Sequence, residues 1–294
     1  MKNYYFKLPK ANLENTKELA KKYHHKYIIK LNYNENKFKP SPTIKKNIKL
    51  WSPHIYPEFD DNQILNLLKQ EFKVNKENIF FSNGSDAILD HIPKVFGYQN
   101  QKSNAIIPEL TYSRIEITCQ VINLHIKKIK LTDKLEIDLN KTLEAIDKNT
   151  TLIYLVNPNM PTGHFYPFKE IDDFLKKVPQ DITVVLDHAY IEYALKADVR
   201  KVFEKELLLI KKYKNLIITK TFSKFYALAS FRIGYCLSDA KNIDIIRKTH
   251  NYLPVSKYSY QAAYWALKDL EYYQKQYLLV NEQKEYLYHE FKKC

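Results

Sequence analysis

The chain is poor in glycine, arginine and cysteine, and each shortage narrows what it can be. Average usage would put about 20 glycines in a chain of this length, yet only Gly84, Gly97, Gly163 and Gly234 occur. Those that remain are expected where a side chain cannot fit. Of the 47 basic residues only Arg114, Arg200, Arg232 and Arg247 are arginine, and the lysines are spread among 33 acids. Despite a net charge of +14, this describes a solvated, lysine-rich surface with a modest preference for anionic small molecules, and a nucleic-acid partner is not expected. Cys119, Cys236 and Cys294 stand far apart in neither metal nor redox spacing, so no metal site is expected and a reducing cytoplasm fits. No run of about 18 apolar residues exists, and Met1-Lys-Asn-Tyr-Tyr-Phe-Lys7 lacks an apolar core, which argues against membrane insertion and secretion.

What is present is a 45% hydrophobic chain of 294 residues, enough for a substantial core. Short apolar runs alternate with amphipathic segments. Strands are expected at 104–107, 151–156, 182–186, 216–219 and 235–237, and helices at 86–96, 168–178, 202–213 and 240–250. Continuous apolar runs between helices predict an α/β three-layer sandwich with a mostly parallel central sheet, whose ligand crevice lies at the carboxyl ends of the strands. Residues 1–45, with Pro40-Ser41-Pro42, read as an amino-terminal arm leading to a helix near Thr43 to Trp51. Residues 46–255 read as the large domain. Residues 256–294, with long helices over 258–270 and 272–293, read as the start of a shortened carboxyl-terminal subdomain.

Polar motifs follow three successive predicted strands: Asn157-Pro-Asn159-Met160-Pro-Thr-Gly163, Asp187-His-Ala-Tyr190, and Thr221-Phe-Ser223-Lys224. The last continues to Arg232-Ile-Gly234. It sets an amine, two hydroxyls and a guanidinium in one loop and turn, the equipment for holding pyridoxal 5'-phosphate: the amine meets the aldehyde, while Thr221, Ser223 and Arg232 suit the phosphate. Ser82-Asn-Gly84-Ser85-Asp86 precedes an amphipathic helix, whose amino end is a second anion site. Viewed alone, Asp187 reads as a helix cap before it reads as a cofactor ligand.

Together these motifs, with Leu31-Asn-Tyr-Asn-Glu-Asn36, resemble the fold-type I pyridoxal-phosphate enzymes of the aspartate aminotransferase superfamily, in the branch of histidinol-phosphate aminotransferase and threonine-phosphate decarboxylase. The resemblance covers nearly the whole chain. It implies that Lys224 carries the cofactor and moves the proton at the substrate's alpha carbon, and that Asp187 faces the ring nitrogen. It implies that Tyr190 donates to the ring oxygen and that Tyr112 stacks on the ring. Gly84, Ser85, Asp86, Thr221, Ser223 and Arg232 then hold the phosphate, and Tyr56 reaches it from the other subunit of a homodimer. The partners implied are a small, anionic amino donor and a 2-oxo acid acceptor.

The pattern breaks in three places, one of them the amino-terminal arm, where Lys37 and Lys39 replace the family's proline and glycine and a different substrate rim is expected. Met160 stands where the family has an asparagine that donates to the ring oxygen, and a thioether cannot donate, so retuned or slowed chemistry with cofactor binding kept is expected unless Asn157 or Asn159 reaches that oxygen. Nothing matches the arginine with which relatives clamp a substrate carboxylate or phosphate; Arg114 is the one conceivable replacement. Three functions compete: a transaminase first, a phospho-amino-acid decarboxylase second, suggested by Lys224-Phe-Tyr-Ala-Leu228, and a cofactor-binding protein without turnover third.

Overall fold

A computed structural model describes residues 15–49, 54–57, 62–251 and 253–293; Trp51 and Cys294 lie outside them. The chain divides into two units, 1–35 and 36–294. In the first, where an extended arm was expected, α1 (Thr16–Lys22) forms, its amino end capped by the Asn15 side chain accepting from Lys17 N–H.

The second unit holds α2 (Pro42–Asn47), α3 (Asn62–Phe72), β1 (Ile79–Ser82), α4 (Ser85–Ile92), β2 (Asn104–Pro108), α5 (Arg114–Val121), β3 (His125–Ile129) and α6 (Leu139–Glu144). It continues through β4 (Thr150–Val156), α7 (Phe168–Leu175), β5 (Thr183–Asp187), α8 (Ile191–Ala194), α9 (Val199–Lys212), β6 (Leu216–Thr221), β7 (Gly234–Ser238), α10 (Ala240–Thr249), α11 (Lys257–Lys268) and α12 (Leu270–Phe291). The strands form one sheet in the order β1-β7-β6-β5-β4-β2-β3, parallel except for β7. The mostly parallel sheet read from the apolar runs is thus observed.

Alternation along the strands builds two cores. On one face Ile153, Leu155, Val184, Leu186, Leu216 and Ile218 pack with α3, α7, α9 and α11. On the other, Leu152, Tyr154, Val156, Val185 and Ile217 pack with α4, α5 and α10. Ile88, Leu89 and Ile92 of α4 are fully buried there, so the amino end of that helix is aimed by its apolar face. Truncating Ile88 or Leu89 would cost about 3 kcal/mol.

The differences from expectation are local. The helix expected over 86–96 stops at Ile92 and gives way to a wider π turn over Pro93–Gly97, because proline has no N–H for the α pattern. β1 and β3 were not anticipated. β1 is four residues long, and β3 reads His-Ile-Lys-Lys-Ile with only Ile129 buried, the mark of a charged edge strand. Among the described residues no helix is long and apolar enough to cross a membrane.

Candidate active site

β4, β5 and β6 are adjacent and parallel, with Val156 opposite Asp187 and Asp187 opposite Thr219. Their following loops therefore meet at one sheet edge, as the motif order predicted. β7 runs the other way, so Gly234 at its start pairs with both Thr221 and Ser82. This brings the Gly84 turn beside the Thr221–Lys224 loop.

Asp187 is 2% exposed. Its Oδ2 accepts from the Tyr154 hydroxyl at 3.1 Å and its Oδ1 from Ala189 N–H at 3.1 Å. Burial pushes the carboxyl up to about 6, against the lowering effect of Tyr154, Thr219 and the Ala189 amide. Among the described residues no ammonium or guanidinium pairs with it. Tyr154 was not anticipated; the signal was there, since it is the one hydroxylated side chain in the middle of an apolar run on the strand beside Asp187.

The turn before α4 is shaped by glycine. Gly84 has φ +79°, and a Cβ there would lie 2.6 Å from Arg232 Nη2. A Cβ on Gly234 would collide with the Ser85 amide, and would lie 2.7 Å from the Gly84 carbonyl carbon. Both positions thus need glycine for close approach. Gly84 brings no side-chain cap to α4, so the helix's first amides, from Ser85 and Asp86 onward, present an uncapped positive end.

Around that end, Arg232 Nη1 reaches Ser223 Oγ at 3.4 Å and donates to Ala229 O at 3.0 Å, while Nη2 lies 3.4 Å from Asp86 Oδ2. Arg232 itself is left-handed, φ +49°. Thr221 Oγ1 accepts from Ser223 N–H at 3.0 Å. Thr221 and Ser223 are therefore used as acceptors, and each keeps its own O–H to donate. The Asp86 carboxylate, an acceptor only, takes the Tyr112 hydroxyl at 2.7 Å. Asp86 thus orients Tyr112 and Arg232 with its side chain, and only its backbone N–H suits an anion. Burial first, and Asp86 second, hold the Tyr112 phenol well above its ordinary range.

Lys224 Nζ stands over the Tyr190 ring, 5.7 Å from its centroid. The two asparagines that could replace the missing one are committed elsewhere. Asn157 exchanges hydrogen bonds with the backbone of Tyr166 at 2.9 and 2.8 Å. Asn159 spends its two N–H groups on Leu110 O at 3.1 Å and Thr162 Oγ1 at 3.0 Å, and accepts from Thr111 at 2.8 Å. Arg114 is likewise engaged, by Asp90 at 3.1 Å. Tyr56 is 86% exposed, and no hydrogen bond joins it to the other candidates among the described residues.

This fold and edge define a class, and the chain belongs to it: the family model for aminotransferase class I and II matches residues 26–294. Within that family the chain is similar to the histidinol-phosphate aminotransferase of Halalkalibacterium halodurans, 33% identical over 82% of this chain and 64% of that protein. The histidinol-phosphate aminotransferase of Bacillus pumilus is 32% identical over 87% of this chain and 69% of its own length. The structure of the Sinorhizobium meliloti histidinol-phosphate aminotransferase in complex with pyridoxal-5'-phosphate superposes with a TM-score of 0.80 at 24% identity, over 92% of this chain and 73% of the other. The chain spans about two thirds of the length of these curated relatives.

Proposed function

We propose that this chain is a pyridoxal-phosphate-dependent aminotransferase acting on a small, anionic amino compound, with a 2-oxo acid as acceptor. The observation that carries the reading is Asp187: a buried carboxylate met only by neutral donors, at the strand end beside an anion cradle and a lysine. A buried anion of this kind is satisfied by a cation brought from outside, and the protonated pyridine ring of the cofactor is one. The residues present fit the group, since Gly84 and Gly234 allow a close cradle, and Arg232, Thr221, Ser223 and the α4 amides supply donors for a phosphate dianion.

Pyridoxal 5'-phosphate supplies an aldehyde that captures amines and a protonated ring that takes up the electrons released at the substrate's alpha carbon. This chain's residues do the rest. Asp187 holds the proton on the ring nitrogen, Lys224 presents the amine that anchors the cofactor and then moves the substrate's proton, and Tyr190 donates to the ring oxygen. Tyr112, pinned by Asp86, fixes the ring plane. Asn159 acts through its bonds to Leu110, Thr111 and Thr162, holding the loop rather than donating to the ring. Tyr190 then carries alone a task that relatives share with an asparagine. A homodimer, in which the exposed Tyr56 reaches the neighbouring site, in a reducing cytoplasm where Cys119 and Cys236 stay buried thiols, completes the reading.

The test is to load the purified chain with pyridoxal phosphate, reduce with borohydride and map the label. A single phosphopyridoxyl group on Lys224, and conversion of unreduced protein to the pyridoxamine form by phosphorylated amines or amino acids, supports the reading. Release of carbon dioxide with no need for a 2-oxo acid would replace it with a decarboxylase, and label scattered over surface lysines would reject it.

A further inference from the structure

Four titratable side chains that the proposed chemistry does not use lie directly behind it. His188, Glu192, Glu206 and Lys220 are each at most 1% exposed. Lys220 Nζ is 2.8 Å from Glu192 Oε1 and 3.3 Å from Glu206 Oε1, and Glu206 Oε1 is 2.7 Å from His188 Nδ1. As a source of stability such a cluster is poor: apolar side chains of the same volume serve as well, whereas removing one partner strands a buried charge. What it supplies is a fixed geometry between the elements it joins.

Those elements carry the site. Alternation puts His188 and Lys220 on the face opposite Asp187 and Thr221, each next to one of them in the chain. Glu192 sits in the first turn of α8, whose N-cap is Tyr190. That helix has four residues and is followed by Lys196 and Ala197 at positive φ, so it has little stability of its own and its place is set by what it touches. Lys220 is the last side chain of β6 before Thr221, and Lys224 follows in the same loop. Glu206 ties the same ammonium to the long helix α9. One ammonium therefore joins the root of the Lys224 loop to the helix that begins at Tyr190.

We propose that Lys220, through its ion pair with Glu192, is a positioning residue that sets where the Tyr190 hydroxyl stands relative to Lys224 and the cofactor ring. The proposal rests on the aminotransferase reading above and deepens it. With Met160 in place of an asparagine and Asn157 and Asn159 committed elsewhere, Tyr190 is the donor on which the ring oxygen depends. Its placement then matters more here than where an asparagine shares the load.

The experiment compares three full-length proteins loaded with pyridoxal phosphate: native, Glu192→Gln and Glu206→Gln. Glu192→Gln keeps the volume and an acceptor, and leaves Lys220 paired with Glu206. Cofactor uptake should persist, while the pH midpoint of the visible absorption of the lysine-bound cofactor rises by about one unit, the worth of one well-placed hydrogen bond. The half-reaction at saturating amino donor should slow roughly tenfold with little change in the half-saturating concentration. Glu206→Gln touches α9 rather than α8, and should lower the unfolding midpoint while leaving the absorbance midpoint native. Native behaviour of Glu192→Gln, or an equal absorbance shift in both variants, overturns the positioning role, since a merely structural cluster predicts no difference between them. A native protein that forms no lysine-bound chromophore rejects the aminotransferase reading itself, and the proposal falls with it.

Discussion

Two groups of buried carboxylates lie at the same edge of the sheet, on opposite faces, and their surroundings differ. Glu192 and Glu206 enclose the Lys220 ammonium. Asp187 is as deeply buried, yet it meets only neutral donors, hydroxyls and an amide N–H, and its carboxyl rises to about 6. A buried anion with its own cation is complete and can serve as structure. One supplied only with neutral donors is held at a cost that a cationic ligand relieves. The contrast separates the side of the sheet that holds the fold from the side that meets a ligand.

The sharpest way to break this comparison is on the ligand side. Lys224→Ala should leave the fold intact and reduce transamination by about a thousandfold or more, measured as the rate of pyridoxamine-form production; a variant of near-native rate would reassign the site. On the structural side, Lys220→Met strands two buried carboxylates and should cost about 3–5 kcal/mol, read from chemical denaturation of the cofactor-free protein. A loss as small as a surface substitution gives would show that the cluster is wet or rearranged.

Smaller effects sharpen the picture. Met160→Asn returns a donor to the ring side and should lower the pH midpoint of the lysine-bound cofactor's absorption by about one unit without changing the cofactor-free unfolding midpoint. Glu271→Gln breaks a pair with Lys275 at 2.8 Å that is exposed on both sides. Neither its unfolding midpoint nor its spectrum should move; a measurable loss would show that counting ion pairs, rather than their burial, decides stability here.

Much of the ligand side was legible in the sequence because three of its motifs follow apolar runs, and strand order in a parallel sheet collects such loops at one edge. Gly84 and Gly234 stood out because glycine is scarce. The structural side was not legible. Lys220 is one lysine in a lysine-rich chain, and nothing local separates a buried ammonium from a solvated one; its partners lie 14 and 28 positions away. Tyr154 carried a signal, a lone hydroxyl within an apolar run, but its partner and the engagement of Asn157 and Asn159 depend on register and loop closure, which spacing alone does not reveal. β3 escaped notice because its lysines face outward at the edge of the sheet, so that no apolar run marks it.

The most direct measurement is the unfolding free energy of native and Asp187→Asn protein, each with and without pyridoxal phosphate, from pH 4 to 8. The Asp187 carboxyl of the folded, cofactor-free protein keeps its proton up to about 6 against an ordinary 3.8, so the native fold is penalised increasingly as pH rises through that window, and fully above it. Asp187→Asn carries no such penalty. Without cofactor it should be the more stable protein above pH 6, by about 3 kcal/mol, and with cofactor it should gain less than native does. A variant that is less stable without cofactor, and gains as much from it, would contradict the claim that Asp187 waits for a cation.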